Sequence, residues 1–190
     1  NLGTALAMHI NFEKSGCKGL LIGFESVNQE TQENIHKGVN RVNEYKELMD
    51  KLHNRGIMVM GCFAFGSDED KKDVFKRTVD LCLEAKIDLP RFSIITPFPA
   101  TEFYKALDME GRIVEKDWSM YDVEHCVYKP KHMTKEELEE GIAWAWEQTY
   151  SWKNIIKRLD FSKKKTKKSI FMLLNIGYRK YAKGFKIFDN

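Results

Sequence analysis

Apolar and polar positions fall in blocks along this chain. Residues 19–24 (GLLIGF) are an apolar run bounded by Gly19 and followed by the polar pair Glu25 and Ser26, the length and flanks of a buried strand. Residues 57–65 (IMVMGCFAF) repeat the pattern and close on Gly66 and the acidic turn 67–70, and 92–95 (FSII) makes a third run. Between the runs the spacing turns helical. A helix is expected at 2–14, a short one at 29–36 capped by Asn28 and closed by Gly38, and another at 42–54 with Tyr45, Leu48, Met49 and Leu52 on one face. A further helix at 72–85 carries Val74, Phe75, Val79, Leu81, Cys82 and Leu83 at helical spacing.

Downstream the strand pattern ends. After the PFP turn at 97–99 a helix is expected at 101–109, then a loop with Trp118, Tyr121 and Tyr128 leading to Pro130. Thr134 and Glu137 read as a capping box opening a long helix at 135–159, with Leu138, Ile142, Ala145, Trp146, Thr149 and Trp152 along one stripe. A basic linker at 163–168 separates it from a last helix at 169–182.

Strands apolar on both faces and joined by helical crossovers predict an α/β fold with a parallel sheet covered by helices. Three strands do not complete one: a closed eight-stranded barrel takes about 250 residues, and a doubly wound sheet has five or more strands. The chain therefore reads as part of a larger sheet with open edges.

Composition narrows the class. With 43% hydrophobic, 12% aromatic and 31% charged residues in 190, disorder, collagen and a disulfide scaffold are excluded, and no apolar run approaches the roughly 18 residues of a membrane span. Cys17, Cys62, Cys82 and Cys126 show no CxxC, no CxxxCxxC and no zinc spacing, which suits reduced thiols in a cytoplasmic chain. The start has neither an initiator Met nor a signal-peptide pattern and opens inside an expected helix, so a longer parent is expected. Residues 1–150 carry 19 Lys+Arg and 26 Asp+Glu, a net of −7, whereas 151–190 carry 12 and 2, a net of +10. The basic end suits phosphate, anionic lipid or an acidic surface of the parent chain.

Ligands of parallel sheets lie beyond the C-terminal strand ends, which directs attention to Glu25 and Ser26, to 66–68 and to 96–101. Glu25 is placed to accept hydrogen bonds from ribose hydroxyls, or is simply a solvated carboxylate. Gly61 allows close approach of either a ligand or a packing helix. The PFPAT turn holds an extended backbone and an apolar ring suited to a flat base, or is a plain rigid turn. His36, His53, His125 and His132 show no ligand spacing, so no metal site is expected among these residues.

Five strings in register, at 17–26 (CKGLLIGFES), 35–38 (IHKG), 55–66 (RGIMVMGCFAFG), 96–104 (TPFPATEFY) and 129–133 (KPKHM), resemble the radical S-adenosylmethionine superfamily, in particular its branch with a cobalamin-binding domain. The resemblance runs from about residue 15 to 155. It implies a partial (β/α)6 barrel, TIM-like, in which a CxxxCxxC loop after the first strand holds a 4Fe-4S cluster that cleaves S-adenosylmethionine to a 5′-deoxyadenosyl radical. This chain would supply strands four to six in residues 1–112, an aromatic loop at 113–133 and a C-terminal helical extension at 134–190. The resemblance places Glu25, with Ser26 beside it, on the ribose, Lys37 near the methionine carboxylate, Met60, Gly61 and Phe63 along the adenine, and Thr96, Pro97 and Phe98 against the same base. The cluster cysteines are absent from this sequence, and Ala100 stands where the family's PFPGT has Gly.

Without three thiolates there is no cluster, so these 190 residues alone are expected to be inactive, with the N-terminal half of the parent as partner and a small-molecule or lipid-like substrate. The competing expectation is a binding module. In it the basic linker, with Ile170, Phe171, Leu174, Tyr178, Tyr181 and Phe185, docks peripherally on anionic membrane or on a partner. Nucleic-acid binding ranks last, because the first 150 residues are acidic and the basic segment lacks an RNA-binding motif.

Overall fold

The structure, a computed structural model, describes residues 15–28, 45–159 and 168–184. The helices expected at 2–14 and 29–36 and the linker at 163–167 lie outside the described residues. The elements run β1 (Gly19–Glu25), α1 (Tyr45–His53), β2 (Met58–Phe65), α2 (Val74–Glu84), β3 (Leu89–Ile94), α3 (Glu102–Met109), a 3-10 turn (Trp118–Met120), α4 (Lys135–Thr149), α5 (Trp152–Arg158) and α6 (Lys168–Gly184). The three strands form one parallel sheet in the order β1-β2-β3. This is the α/β architecture expected, with the third strand starting at Leu89 rather than at 92.

The two faces of the sheet differ. On one, Val59, Phe63 and Phe65 of β2 alternate inward with Phe92 and Ile94 of β3 and pack on α1, α2 and α4. Aromatic rings run across this face from Phe24 to Phe63 (5.4 Å), Phe63 to Phe92 (6.1 Å) and Phe92 to Trp146 (5.4 Å). Rings meeting at such offsets add attraction beyond their buried area. Tyr45, Leu48, Met49 and Leu52 cover the layer from α1 as their spacing predicts, all of them buried.

The other face carries Leu21, Met58, Met60, Cys62, Leu89, Arg91 and Ser93 and is largely open. Here the expected buried first strand is corrected: Leu21 is 67% exposed, because among the described residues β1 has a strand on one side only and α6 borders this face across a cavity instead of packing on it.

The two edges of the sheet also differ. The outer edge of β3 is occupied, with Ile94 N donating to Val123 O (2.7 Å) and Tyr150 Oη donating to Pro90 O (2.7 Å). Pro90 fits there, since a strand edge away from the ladder does not need its missing N–H. No described strand pairs the outer edge of β1.

The long helix expected at 135–159 is two helices meeting at Tyr150. Ser151 caps the second, its hydroxyl donating to Gln148 O (2.9 Å) and accepting from Asn154 N (3.4 Å), and the Asn154 side chain donates back to Gln148 O (2.8 Å). These local bonds satisfy the broken turn. The bend moves Trp152 off the stripe and leaves it 48% exposed, while Leu138, Ile142, Ala145, Trp146 and Thr149 stay buried. The capping box at Thr134 and Glu137 forms as expected.

α6 packs against α4. Phe171 and Asn175 are buried, and Tyr178 stacks on Trp146 at 5.9 Å. Of the residues expected to face a membrane, Phe171 and Tyr178 are thus spent on packing, Ile170, Leu174 and Tyr181 remain about 40% exposed, and Phe185 lies outside the described residues. No described helix is long and apolar enough to cross a membrane.

Candidate functional site

The three loops at the C-terminal strand ends are stitched together by their own side chains. After β1, Ser26 is buried and its hydroxyl accepts from Asn28 N (2.9 Å), while the Asn28 amide donates to Glu69 O in the second loop (3.1 Å). In that loop Asp70 Oδ2 accepts from Gly66 N (3.0 Å) and Ser67 N (3.2 Å), and Tyr128 Oη donates to Gly66 O (2.6 Å). Asp68 is gripped by the Arg112 guanidinium (2.6 and 3.2 Å) and by Lys131 Nζ (2.7 Å). The 129–133 string therefore serves the second loop.

The third loop is a tight turn. Thr96 Oγ1 donates to Ile94 O (3.2 Å), Phe98 N donates to Thr96 O (3.0 Å), and Thr101 Oγ1 donates to Phe98 O (2.7 Å) while accepting from Tyr104 N as cap of α3. Ala100 sits at φ 66°, in the left-handed region, which accounts for a Gly at this place in related turns.

Of the residues singled out from the sequence, Glu25 ends β1 at φ 64°, just past a register shift between Gly23 and Glu25 that re-aims the strand end. Met60 lies on the open face with its sulfur 4.0 Å from Tyr178 Oη. Gly61 and Phe63 face the opposite way, into the aromatic layer. A Cβ on Gly61 would come within 2.9 Å of Ile87 Cγ2 and 3.0 Å of the Phe24 ring, so it is packing, of the two expectations, that demands glycine there. Pro97 is buried, Thr96 half-buried and Phe98 46% exposed, all in the third loop. Lys37 lies outside the described residues.

The sheet brings other polar groups to the same face. Gly23, Cys62 and Arg91 form one register row across the three strands, with Ala64 and Ser93 paired on the next. Burial pushes the Cys62 thiol above its ordinary value; the Arg91 charge opposes the shift and the Glu25 charge adds to it. Burial would also raise Asp68, yet the hydrogen bonds and charges of Arg112 and Lys131 outweigh it and hold this carboxyl below the usual range. Asp70, 1% exposed, is shifted up by burial against the two N–H donors on its Oδ2. Cys62 was missed because β2 is apolar on both sides. In β3 the signal was present as Arg91 and Ser93 alternating with Pro90, Phe92 and Ile94.

Among the described residues no group of three or more His, Cys, Asp or Glu side chains could hold a metal ion, and the four cysteines are free. The site offers polar strand ends, stiff loops and one thiol, a surface able to bind an organic ligand.

No family model matches the chain. It is 35% identical over 146 residues to the bacteriochlorophyllide d C-12(1)-methyltransferase of Chlorobaculum tepidum, covering 77% of this chain and 32% of that protein. The chain is related to methyltransferases. The bacteriochlorophyllide d C-8(2)-methyltransferase of the same organism is 28% identical over 177 residues, 92% of this chain and 39% of that protein. The anaerobic magnesium-protoporphyrin IX monomethyl ester cyclase of Cereibacter sphaeroides is 26% identical over 131 residues, 69% of this chain and 21% of that protein. The chain thus spans between a fifth and two fifths of the length of these relatives, all of them enzymes, and they are consistent with the radical S-adenosylmethionine resemblance at the level of the superfamily.

Proposed function

We propose that the chain is the C-terminal part of a radical S-adenosylmethionine methyltransferase whose substrate is a tetrapyrrole acid. The observation that carries this reading is the 35% identity over 146 residues to a bacteriochlorophyllide methyltransferase. The sheet supports it: β3 is sealed on its outer edge, so the sheet ends there, and β1 is left to receive the strands of the parent's N-terminal half. We read that arrangement as part of a (β/α)6 barrel with the open face as its interior.

S-adenosylmethionine fits the residues present. Glu25, at the re-aimed end of β1, accepts hydrogen bonds from the ribose. The carbonyls of the stiff third loop, with the exposed Phe98 ring, hold the base. The 4Fe-4S cluster does not fit this chain, whose open face has one thiol, Cys62. Its three ligands and any cobalamin site are assigned to the parent's remaining sequence. When bound and reduced, the cluster supplies reductive cleavage of S-adenosylmethionine.

The test uses the full-length parent, reconstituted anaerobically with iron and sulfide and given dithionite, S-adenosylmethionine and a bacteriochlorophyllide. Formation of 5′-deoxyadenosine and of a pigment heavier by one methyl group is expected. Absence of both from a protein with a complete cluster would overturn the reading. The 190 residues alone are expected to form neither product.

A further inference from the structure

The open face of the sheet is graded from apolar to polar along the strands. At the N-terminal end Leu21, Met58, Met60 and Leu89, with Lys18 just before β1 and Ile170 and Leu174 of α6, line a cavity of about 460 Å³, within the usual range for small-molecule sites. Two residues further along the strands, about 7 Å at the strand rise, the row through Cys62 carries Arg91. It is the one basic side chain on these three strands.

Arg91 differs from the other arginines. Among the described residues Arg55 donates to Lys51 O, Arg77 to Val27 O, Arg112 to Asp68, Arg158 to Asp88 O and Arg179 to Tyr150 O. Arg91 alone makes no hydrogen bond or ion pair to a described residue, and it is exposed on a face whose other charges are the Glu25 carboxylate, which acts with it on the Cys62 thiol, and Lys18 at the far end of the cavity. A guanidinium is a planar fork that matches a carboxylate with two parallel hydrogen bonds. An apolar floor with one such cation beyond it suits an amphipathic ligand, a flat apolar body with an acidic arm.

We infer that Arg91 binds the carboxylate of the substrate, holding the flat ring over the apolar floor made by Leu21, Met60 and Leu89. The inference rests on the reading of the open face as a barrel interior. It makes Arg91 a specificity residue for acids over esters. A carboxylate on this face has two sources, the substrate or the methionine portion of S-adenosylmethionine, and the experiment separates them.

The full-length parent, without reductant, is titrated with a bacteriochlorophyllide and with its methyl ester, followed by the pigment's absorbance shift, and separately with S-adenosylmethionine. Wild type is expected to bind the acid at least about tenfold more tightly than the ester, one bidentate charged pair being worth roughly that or more. Arg91→Gln should abolish the preference by weakening the acid alone, its unchanged affinity for the ester showing that the fold is intact, and Arg91→Lys should keep part of it. Equal binding of acid and ester by wild type, no binding of either, or a preference that survives in Arg91→Gln overturns the inference. So does loss of S-adenosylmethionine binding in Arg91→Gln with the acid preference intact, which assigns the guanidinium to the cofactor. Failure of the enzyme reading shows elsewhere, as absence of 5′-deoxyadenosine from reconstituted wild type.

Discussion

Arg158 Nη1 stands 2.7 Å from the carbonyl oxygen of Asp88, at the point where the chain enters β3. The same guanidinium donates to Ile87 O (3.0 Å), Thr149 O (3.1 Å) and Asn175 Oδ1 (2.8 Å), while its carbon lies 5.1 Å from the centre of the Tyr150 ring. One buried side chain thus ties α4, α5 and α6 to the start of β3. No described carboxylate pairs with it, and burial draws its proton affinity down. Four oriented acceptors compensate for its desolvation.

Removing it should cost more than one ordinary hydrogen bond, because several buried acceptors lose their donor together. Arg158→Met is expected to lower stability by about 3 kcal/mol and Arg158→Lys by more than half as much, since an ammonium does not reproduce the planar fork. Urea unfolding measures both. A Met variant within about 0.5 kcal/mol of wild type would show the interaction to be incidental.

Legibility in the sequence followed how strongly each residue's neighbours along the chain constrained it. The Tyr45, Leu48, Met49 and Leu52 face and the Thr134 cap depend on contacts within a few positions, and both were readable. The orientation of β2 was not. Its residues are apolar on both sides, so nothing local says that Phe63 packs against helices while Cys62 faces the open side. The break at Tyr150 also escaped: Ser151 capping is weak in sequence, and the Tyr150 bond to Pro90 O spans 60 residues. At the candidate site, Glu25 was singled out because it follows an apolar run directly, whereas Arg91 was passed over because its place beside Cys62 comes from a register that only the folded sheet creates.

Ala100 holds a left-handed backbone, φ 66°, beside a proline. Ala100→Gly should stabilise the protein by about 0.5–1 kcal/mol, the relieved strain exceeding the entropy that glycine adds to the unfolded chain. A rise in Tm of a few degrees is the expected reading. A fall would mean that the turn keeps its shape for reasons other than this residue's conformation.

Gly61 makes the opposite prediction. Its φ is ordinary, but the space beside it is filled by Ile87 and Phe24. Gly61→Ala should destabilise by about 1–3 kcal/mol through overpacking of the aromatic layer. The same change at Gly177, where nothing lies within 4 Å of the added carbon, should be neutral or slightly stabilising, as expected for alanine in a helix. Thermal melts of the two variants would separate a packing glycine from a merely tolerated one.

The Asp68 strap should give stability an acid limb. In the unfolded chain this carboxyl takes up a proton near its ordinary value of 3.8; in the folded chain it does so lower, held by Arg112 and Lys131. Between the two values the folded form binds fewer protons, so stability rises with pH across that window. The contribution is complete above the unfolded value and is lost as pH falls through the folded one. Asp68→Asn should therefore be less stable than wild type at pH 7, and the difference should shrink as pH falls below 3.8. A constant difference down to pH 2 would show that the carboxylate's charge contributes nothing.

Alkylation should rank the cysteines by burial and local charge. The thiolate is the nucleophile, so a raised thiol reacts slowly at a given pH. Burial pushes Cys126 up to about 11 and Cys82 further, and both should stay unmodified by iodoacetamide at pH 8 while the fold is intact. Cys62 is half-exposed and should react measurably. Arg91 lowers its proton affinity and Glu25 raises it, both against the larger effect of burial. Arg91→Ala should therefore slow Cys62 alkylation and Glu25→Gln should speed it, each by about two- to fivefold, as for one charge in a partly solvated site. Mass spectrometry of the modified peptide gives the rates. Two variants that shift the rate in the same direction, or not at all, would show that the three side chains do not share one electrostatic neighbourhood on the open face.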